Sequence, residues 1–247
     1  MTKKVLITGA SSGIGEGIAR EFAERGYNLA LAARRIESLE QLASELTKQF
    51  PEIQVETVKL DVTDTAAVQK VIPSVAKLFG KLDIVVANAG IGGGGAIGSD
   101  KFDEDAAIIQ TNVIGAMATI DSAVKLFKEQ GEGHVVGIAS VAAFRGLPHA
   151  SAYCASKAAI STYMDALQLE LHHSPINVTC LYPGYIDTPI NEKMKSRPFL
   201  IDVEKGSRLI VNLIEKKVKK STVPVMPWNI VGRLLKVLPN SLLAGRI

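Results

Sequence analysis

The chain has 247 residues, 47% of them hydrophobic and 21% charged, with a net charge of +3. That is enough for one substantial core and too little for two full domains, and the mild basic excess falls short of a nucleic-acid-binding face. The two cysteines, Cys154 and Cys180, form neither a disulfide framework nor a metal-ligand spacing, and the opening "MTKKVLITG" is too short an apolar run for a signal peptide, so a soluble cytoplasmic protein without a metal is expected.

Short β-branched runs alternate with longer helical patterns. Residues 3–8, 28–33, 53–60, 82–88, 134–140, 176–182 and 222–225 read as strands. Such alternation predicts βαβ units with right-handed crossovers: an α/β fold, doubly wound, with a mainly parallel seven-stranded sheet and helices on both faces, in one domain over 1–247. Between the strands, residues 36–49 place Ile36, Leu39, Leu42, Ala43 and Leu46 on one stripe of a surface helix. Pro73 is expected to interrupt the following helix, and Lys216, Lys217, Lys219 and Lys220 read as a solvated helix end. Regularity fails at 90–100 and at 183–202. Both follow strands, so both belong at the carboxyl ends of the sheet, where open α/β proteins bind ligands.

The first strand runs into "TGASSGIG", residues 8–15. Gly9 permits a sharp exit from the strand, Gly13 close backbone approach and Gly15 tight helix–strand packing. Ser11, Ser12 and Ile14 complete a turn whose helix-start N–H groups face an anion. The spacing is G-x-x-x-G-x-G, a variant of the dinucleotide fingerprint. At the end of the second strand, where an acid would hold the ribose hydroxyls of NAD, stands Ala33, followed by Arg34 and Arg35. An arginine fork grips a 2'-phosphate that an acid would repel, so NADPH (NADP) is preferred over NADH. Asp61 and Val62, at the end of the third strand, are expected beside an adenine ring.

"SAYCASKAAI", residues 151–160, sets Tyr153 four residues before Lys157, on one face of a helix. Free in water these groups titrate near pH 10 and 10.4, and neither alone transfers protons at neutral pH. Taken with the glycine loop, "NAG" at 88–90, Asn112, Ser140 thirteen residues before Tyr153, and "PG" at 183–184, the pair makes the chain resemble the short-chain dehydrogenase/reductase family. The likeness covers residues 3 to about 190, and length and loop spacing are similar to the compact single-domain branch, with its Rossmann fold.

The resemblance implies roles. Tyr153 is the general acid or base of a carbonyl–alcohol interconversion, which asks for a pKa shift of about 3 units, roughly 4 kcal/mol, supplied in large part by cationic Lys157. Lys157 also bonds the nicotinamide ribose. Ser140 donates to the carbonyl oxygen, and Asn112 holds a water in a proton relay behind the lysine. Asn88, Ala89 and Gly90 run along the coenzyme; Pro183, Gly184, Ile186 and Thr188 fix its carboxamide; Ser11 and Ser12 bind phosphates. Many NADPH users of the family carry a basic residue where this chain has Ser12, so coenzyme preference rests on Arg34 and Arg35. Pairing of helices near 102–129 and 151–173 into homodimers or homotetramers is also implied.

Segments 90–97, 141–150 and 193–201, with a substrate loop at about 185–205, are expected to line a mostly apolar pocket for a ketone, aldehyde or alcohol with a hydrocarbon body. His149 and Arg145 are its polar exceptions, read as packing or capping residues. The apolar tail 226–247, with Trp228, Ile230, Leu234, Leu235, Val237 and Leu238, reads as an amphipathic helix that covers the pocket, packs on another subunit or rests on a membrane, with packing or assembly preferred. The function expected is that of an NADPH-dependent oxidoreductase. The alternatives are a non-catalytic NADPH-binding sensor and a dehydratase or epimerase on the same scaffold.

Overall fold

The computed structural model describes residues 2–192, 194 and 196–241. In the first strand Val5 and Ile7 face one side of a sheet and Leu6 the other, and all three are fully buried, so helices must cover both sides. They do so in chain order. The first half comprises β1 (Lys4–Thr8), α1 (Gly13–Glu24), β2 (Asn28–Ala33), α2 (Ile36–Gln49), β3 (Val55–Lys59), α3 (Thr65–Phe79) and β4 (Ile84–Ala87). The second comprises α4 (Phe102–Ile109), a π-helical turn (Gln110–Gly115), α5 (Ala116–Gln130), β5 (Gly133–Ile138), a 3-10 turn (Val141–Phe144), α6 (Ser151–Glu170), β6 (Ile176–Pro183), α7 (Val203–Glu215), β7 (Lys220–Val223) and α8 (Trp228–Val237).

The seven strands form one sheet in the order β3-β2-β1-β4-β5-β6-β7, and every pair is parallel, where the sequence suggested mainly parallel. One core layer packs Leu6, Val85, Val135 and Cys180 under Ile72, Ile120, Phe127 and Met164 of α3, α5 and α6. The other packs Val5, Ile7, Leu31 and Val86 under Ile18, Phe22, Leu39 and Ile210 of α1, α2 and α7. The strand order reverses between β1 and β4, which opens a crevice at their carboxyl ends.

Several local expectations are corrected. Pro73 sits inside α3 without ending it; Asp64 caps that helix by accepting the Ala67 N–H, and Gly80 closes it in the left-handed region. The helix expected over 102–129 is broken in hydrogen-bond pattern by the π turn. By length and composition Phe102–Gln130 could span a membrane, yet Ile120, Ala123 and Phe127 are buried in the core. The lysine run is a turn and a strand start: α7 ends at Glu215, and Lys220 opens β7 paired with Asp165. Lys193 and Lys195 of the expected substrate segment, and residues 242–247 of the expected tail, lie outside the described residues.

Candidate active site

A cavity of about 400 Å³ lies at the β1/β4 crevice. Its floor is the glycine turn. Gly9 and Gly13 have φ of +71° and +59°, which L side chains rarely adopt. A Cβ on Gly15 would fall 2.2 Å from the Gly9 carbonyl oxygen, so the helix can approach the strand this closely only with glycine there. Thr8 Oγ1 accepts from the N–H groups of Asn88 and Ala89, and Asn88 Nδ2 donates to the carbonyl of Thr8 at 3.0 Å. These bonds lock the 88–90 turn to the glycine turn. No side chain caps α1 at Ser12, so its first N–H groups have no intrahelical partner and face the cavity, as an anion requires.

Arg34 and Arg35 leave β2 at the rim of the same cavity, with Ala33, Asp61 and Val62 beside them. Both arginines expected at a 2'-phosphate border the cavity, and one of them is already engaged. Arg35 Nη2 donates to Ser12 Oγ at 2.8 Å and Ser11 Oγ at 3.0 Å, closing over the loop. Its guanidinium thus supplies the positive charge that Ser12 does not. Asp61 is oriented by Thr63, whose N–H and hydroxyl both donate to Oδ1.

Asn112 sits in the π turn, buried, rather than on a regular helix as expected. The wider turn aims its amide at the end of β4: Oδ1 accepts the Ile91 N–H at 2.8 Å and Nδ2 donates to the Ile91 carbonyl at 2.9 Å and to Ser156 Oγ at 3.1 Å. A Cβ on Gly90 would come within 3.2 Å of Asn112 Oδ1 and 3.6 Å of Lys157 Nζ, so this glycine leaves room for both.

Tyr153 and Lys157 project from α6 into the cavity, the ammonium 5.8 Å from the ring centroid. Burial pushes the Tyr153 phenol up to about 12, opposed by the nearby Ser140 hydroxyl. Burial also pushes Lys157 down to about 8, while Nζ donates to the Ile138 carbonyl at 3.0 Å. Desolvation dominates the titration of the phenol, and the lysine ammonium is directed at a backbone carbonyl. Ser140 lies two residues beyond β5; its Oγ accepts the Ala142 N–H at 3.1 Å and donates to the Pro183 carbonyl at 3.4 Å.

Of the residues singled out in the sequence, Gly9, Ser11, Ser12, Gly13, Ile14, Arg34, Arg35, Asp61, Val62, Asn88, Ala89, Gly90, Tyr153, Lys157 and Thr188 border the cavity. Gly15, Asn112, Ser140, Pro183, Gly184 and Ile186 are not among its lining residues. Ile91 and Gly92 of the 90–97 segment and Pro189 and Ile190 of the 185–205 loop, expected at the substrate, border this cavity as well, and sequence reasoning missed Leu60, Thr111, Ile138 and Ala139.

A second cavity, about 680 Å³, joins Ala96 and Ile97 to the 142–149 segment and to Cys154, Ala155 and Ala158 of α6. Two of the three expected substrate segments meet there, and no described residue of 193–201 lines it. Arg145, on its rim, donates to the Leu235 carbonyl at 3.4 Å and to Asn240, tying α8 down. His149, also on the rim, is exposed at φ +60°. Near Tyr153 the structure adds a residue the sequence did not flag: the Tyr185 phenol lies close enough to influence its titration, and its ring is 6.0 Å from that of Trp228.

The glycine cradle, the uncapped helix start and the cationic rim fit a dinucleotide in shape and charge. The short chain dehydrogenase family matches residues 3–198. An uncharacterized oxidoreductase of Mycobacterium tuberculosis is 41% identical over 241 residues, 97% of this chain and 95% of that protein. The NADP-dependent 3-hydroxy acid dehydrogenase of Schizosaccharomyces pombe is 35% identical over 192 residues, 75% of this chain and 72% of that one. Among solved structures, an alcohol dehydrogenase from Thermococcus sibiricus in complex with 5-hydroxy-NADP superposes with a TM-score of 0.81 at 29% identity, covering 90% of this chain and 96% of that one. With fold, crevice and sequence in agreement, the chain belongs to the short-chain dehydrogenase/reductase family and is an NAD(P)-dependent oxidoreductase acting on CH–OH groups.

Proposed function

We propose that this protein is an NADPH-dependent reductase, reversible as an alcohol dehydrogenase, that acts from the cytoplasm on a largely apolar carbonyl or alcohol. The observation that carries the reading is a single cavity bordered by Arg34 and Arg35, with alanine rather than an acid at 33, and by the Tyr153–Lys157 pair. The glycine turn and α1 start would hold the pyrophosphate, Arg34 and Arg35 the 2'-phosphate, and Asp61 and Val62 the adenine side. When bound, the coenzyme supplies or accepts the hydride.

The remaining steps belong to side chains of this chain. Tyr153 Oη gives its proton to the carbonyl oxygen in reduction and takes it back in oxidation. Ser140 Oγ donates to the same oxygen and holds its developing charge. Lys157 favours the phenolate electrostatically once its cation is turned to the site. Asn112 fixes the Ile91 backbone, and with it the turn beside Lys157. The apolar lining of the second cavity supports a hydrocarbon-rich substrate. Exposed Phe102 and Ile109 of α4 and Leu169 of α6 support self-association into a dimer or tetramer.

The test is coenzyme oxidation, NADPH against NADH, across aldehydes, ketones, quinones and steroids, with Tyr153→Phe as control. Turnover favouring NADPH and lost in the variant is expected. Equal turnover in Tyr153→Phe would overturn the assignment.

A further inference from the structure

Helix α8 packs inward with Trp228, 4% exposed, and Gly232, and leaves a second apolar stripe uncovered. Ile230, Leu234 and Val237 are 60%, 50% and 77% exposed, at i, i+4 and i+7, so they share one face. Val225 and Met226, in the approach to the helix, and Phe199, whose ring meets Trp228 edge-on at 5.6 Å, are also about half exposed and extend this surface. Arg233 and Lys236 lie on the exposed side of the same helix. A run of large exposed apolar side chains on one helix is a docking surface rather than ordinary scatter.

We propose that this face of α8 docks on an anionic lipid bilayer. Charge selects that occupant over a second copy of the chain. Residues 221–241, which hold the helix and its approach, contain two basic residues, Arg233 and Lys236, and no acid. A two-fold contact through α8 would set Arg233 and Lys236 against their own copies with no carboxylate in the segment to pair them. Lipid phosphates meet those cations while the apolar stripe enters the acyl boundary, the composition of an interfacial helix. The helix is also anchored to the rest of the protein: Arg145, on the rim of the second cavity, bonds the Leu235 carbonyl, and Trp228 backs Tyr185. A bilayer on this face therefore lies beside the cavity mouth. The proposal stands apart from the identity of the coenzyme or substrate.

The full chain is sedimented with phosphatidylcholine vesicles, with and without phosphatidylglycerol, and its oligomeric state is followed by analytical ultracentrifugation. Binding that needs the anionic lipid, weakens as ionic strength rises, and falls about tenfold or more in the double variant Ile230→Asn/Leu234→Asn is expected. Leu78→Asn, on exposed α3 surface, serves as control and leaves binding unchanged. Both substituted positions of the double variant are at least half exposed, and circular dichroism confirms folding. Absence of binding to either vesicle, or binding indifferent to the double variant, overturns the proposal. So does a self-association that the double variant abolishes without any vesicle binding, which assigns the face to a second copy.

Discussion

Lys157 Nζ donates its hydrogen bond to the Ile138 carbonyl at 3.0 Å. Burial holds its pKa near 8, and that of the neighbouring Tyr153 near 12. The cation that the proposed chemistry needs is therefore present below about pH 8 and lost above it. The kcat/KM for NADPH, which reports groups of the free enzyme, is expected to fall as pH rises through 8. In Lys157→Arg, whose guanidinium stays charged, that limb disappears from the pH profile even if the rate is lower. A limb unchanged in the variant would assign it to another group.

The same burial has a stability cost with a definite sign. In the unfolded chain the lysine titrates near 10.4, so between about pH 8 and 10 the unfolded state binds more protons and stability rises with pH. At pH 7 the burial of the cation costs roughly 3 kcal/mol. Replacing it by Lys157→Met recovers that amount less about 1 kcal/mol for the abandoned Ile138 carbonyl. Urea unfolding is expected to show Lys157→Met about 2 kcal/mol more stable than the parent at pH 7 and inactive. A less stable variant would mean the lysine holds the site together.

Arg35 is already engaged by Ser11 and Ser12, whereas Arg34 makes no side-chain hydrogen bond or ion pair among the described residues. If both meet a 2'-phosphate, Arg34→Ala should lower kcat/KM with NADPH by about 10- to 100-fold, the value of one charge-assisted contact, and leave NADH nearly untouched. Arg35→Ala should weaken both coenzymes, because it also frees the loop that holds their shared pyrophosphate. Steady-state kinetics with the two coenzymes separates these outcomes, and equal losses in Arg34→Ala would remove it from phosphate recognition.

The parallel sheet was legible because its buried strands are continuous apolar runs separated by amphipathic helices, and the glycine turn because three glycines at fixed spacing follow the first strand. Tyr153 and Lys157 were legible from one helical turn of spacing. What one-dimensional pattern cannot carry is the balance of desolvation against charge. Lys157 and Tyr153 share a face, but their titration is set first by the surrounding burial. The π turn at Asn112 was also invisible, since "QTNVIG" continues the helical pattern on both sides, and only the pairing with the Ile91 backbone marks it. Tyr185 and Trp228 are 43 residues apart in sequence, and their contact arises from the way α8 packs against the 3-10 turn and β7.

His134 illustrates a buried group outside the site. Its Nε2 lies 2.8 Å from Thr179 Oγ1, whose single proton goes to the Val218 carbonyl at 2.6 Å, so the imidazole must donate and is neutral at Nδ1. Burial pushes its pKa down to about 4. Below pH 6.5 the unfolded state takes up a proton that the folded state refuses, and stability falls as pH drops from 6.5 towards 4, by about 3 kcal/mol in all. His134→Gln, which can still donate to Thr179, should flatten that acid limb in denaturant titrations. An unaltered slope would place the acid sensitivity in carboxylates instead.

Gly184 and Trp228 test how α8 supports the substrate side. A Cβ at 184 would lie 2.0 Å from Trp228 Nε1 and 2.4 Å from Cε2, an overlap that rotation of a 96%-buried indole cannot relieve. Gly184→Ala must therefore push the ring, and with it Tyr185 and Phe199, which pack on it at 6.0 and 5.6 Å. The expected cost is about 1–3 kcal/mol of stability, with KM for a bulky carbonyl raised more than the affinity for coenzyme. Trp228 Nε1 has no acceptor among the described residues, so Trp228→Leu gives up volume but no hydrogen bond. The double variant Gly184→Ala/Trp228→Leu should then be more stable than the sum of the single losses, because the methyl group fills part of the space the indole leaves. Additive losses in that cycle would show that the two residues are not in the contact described.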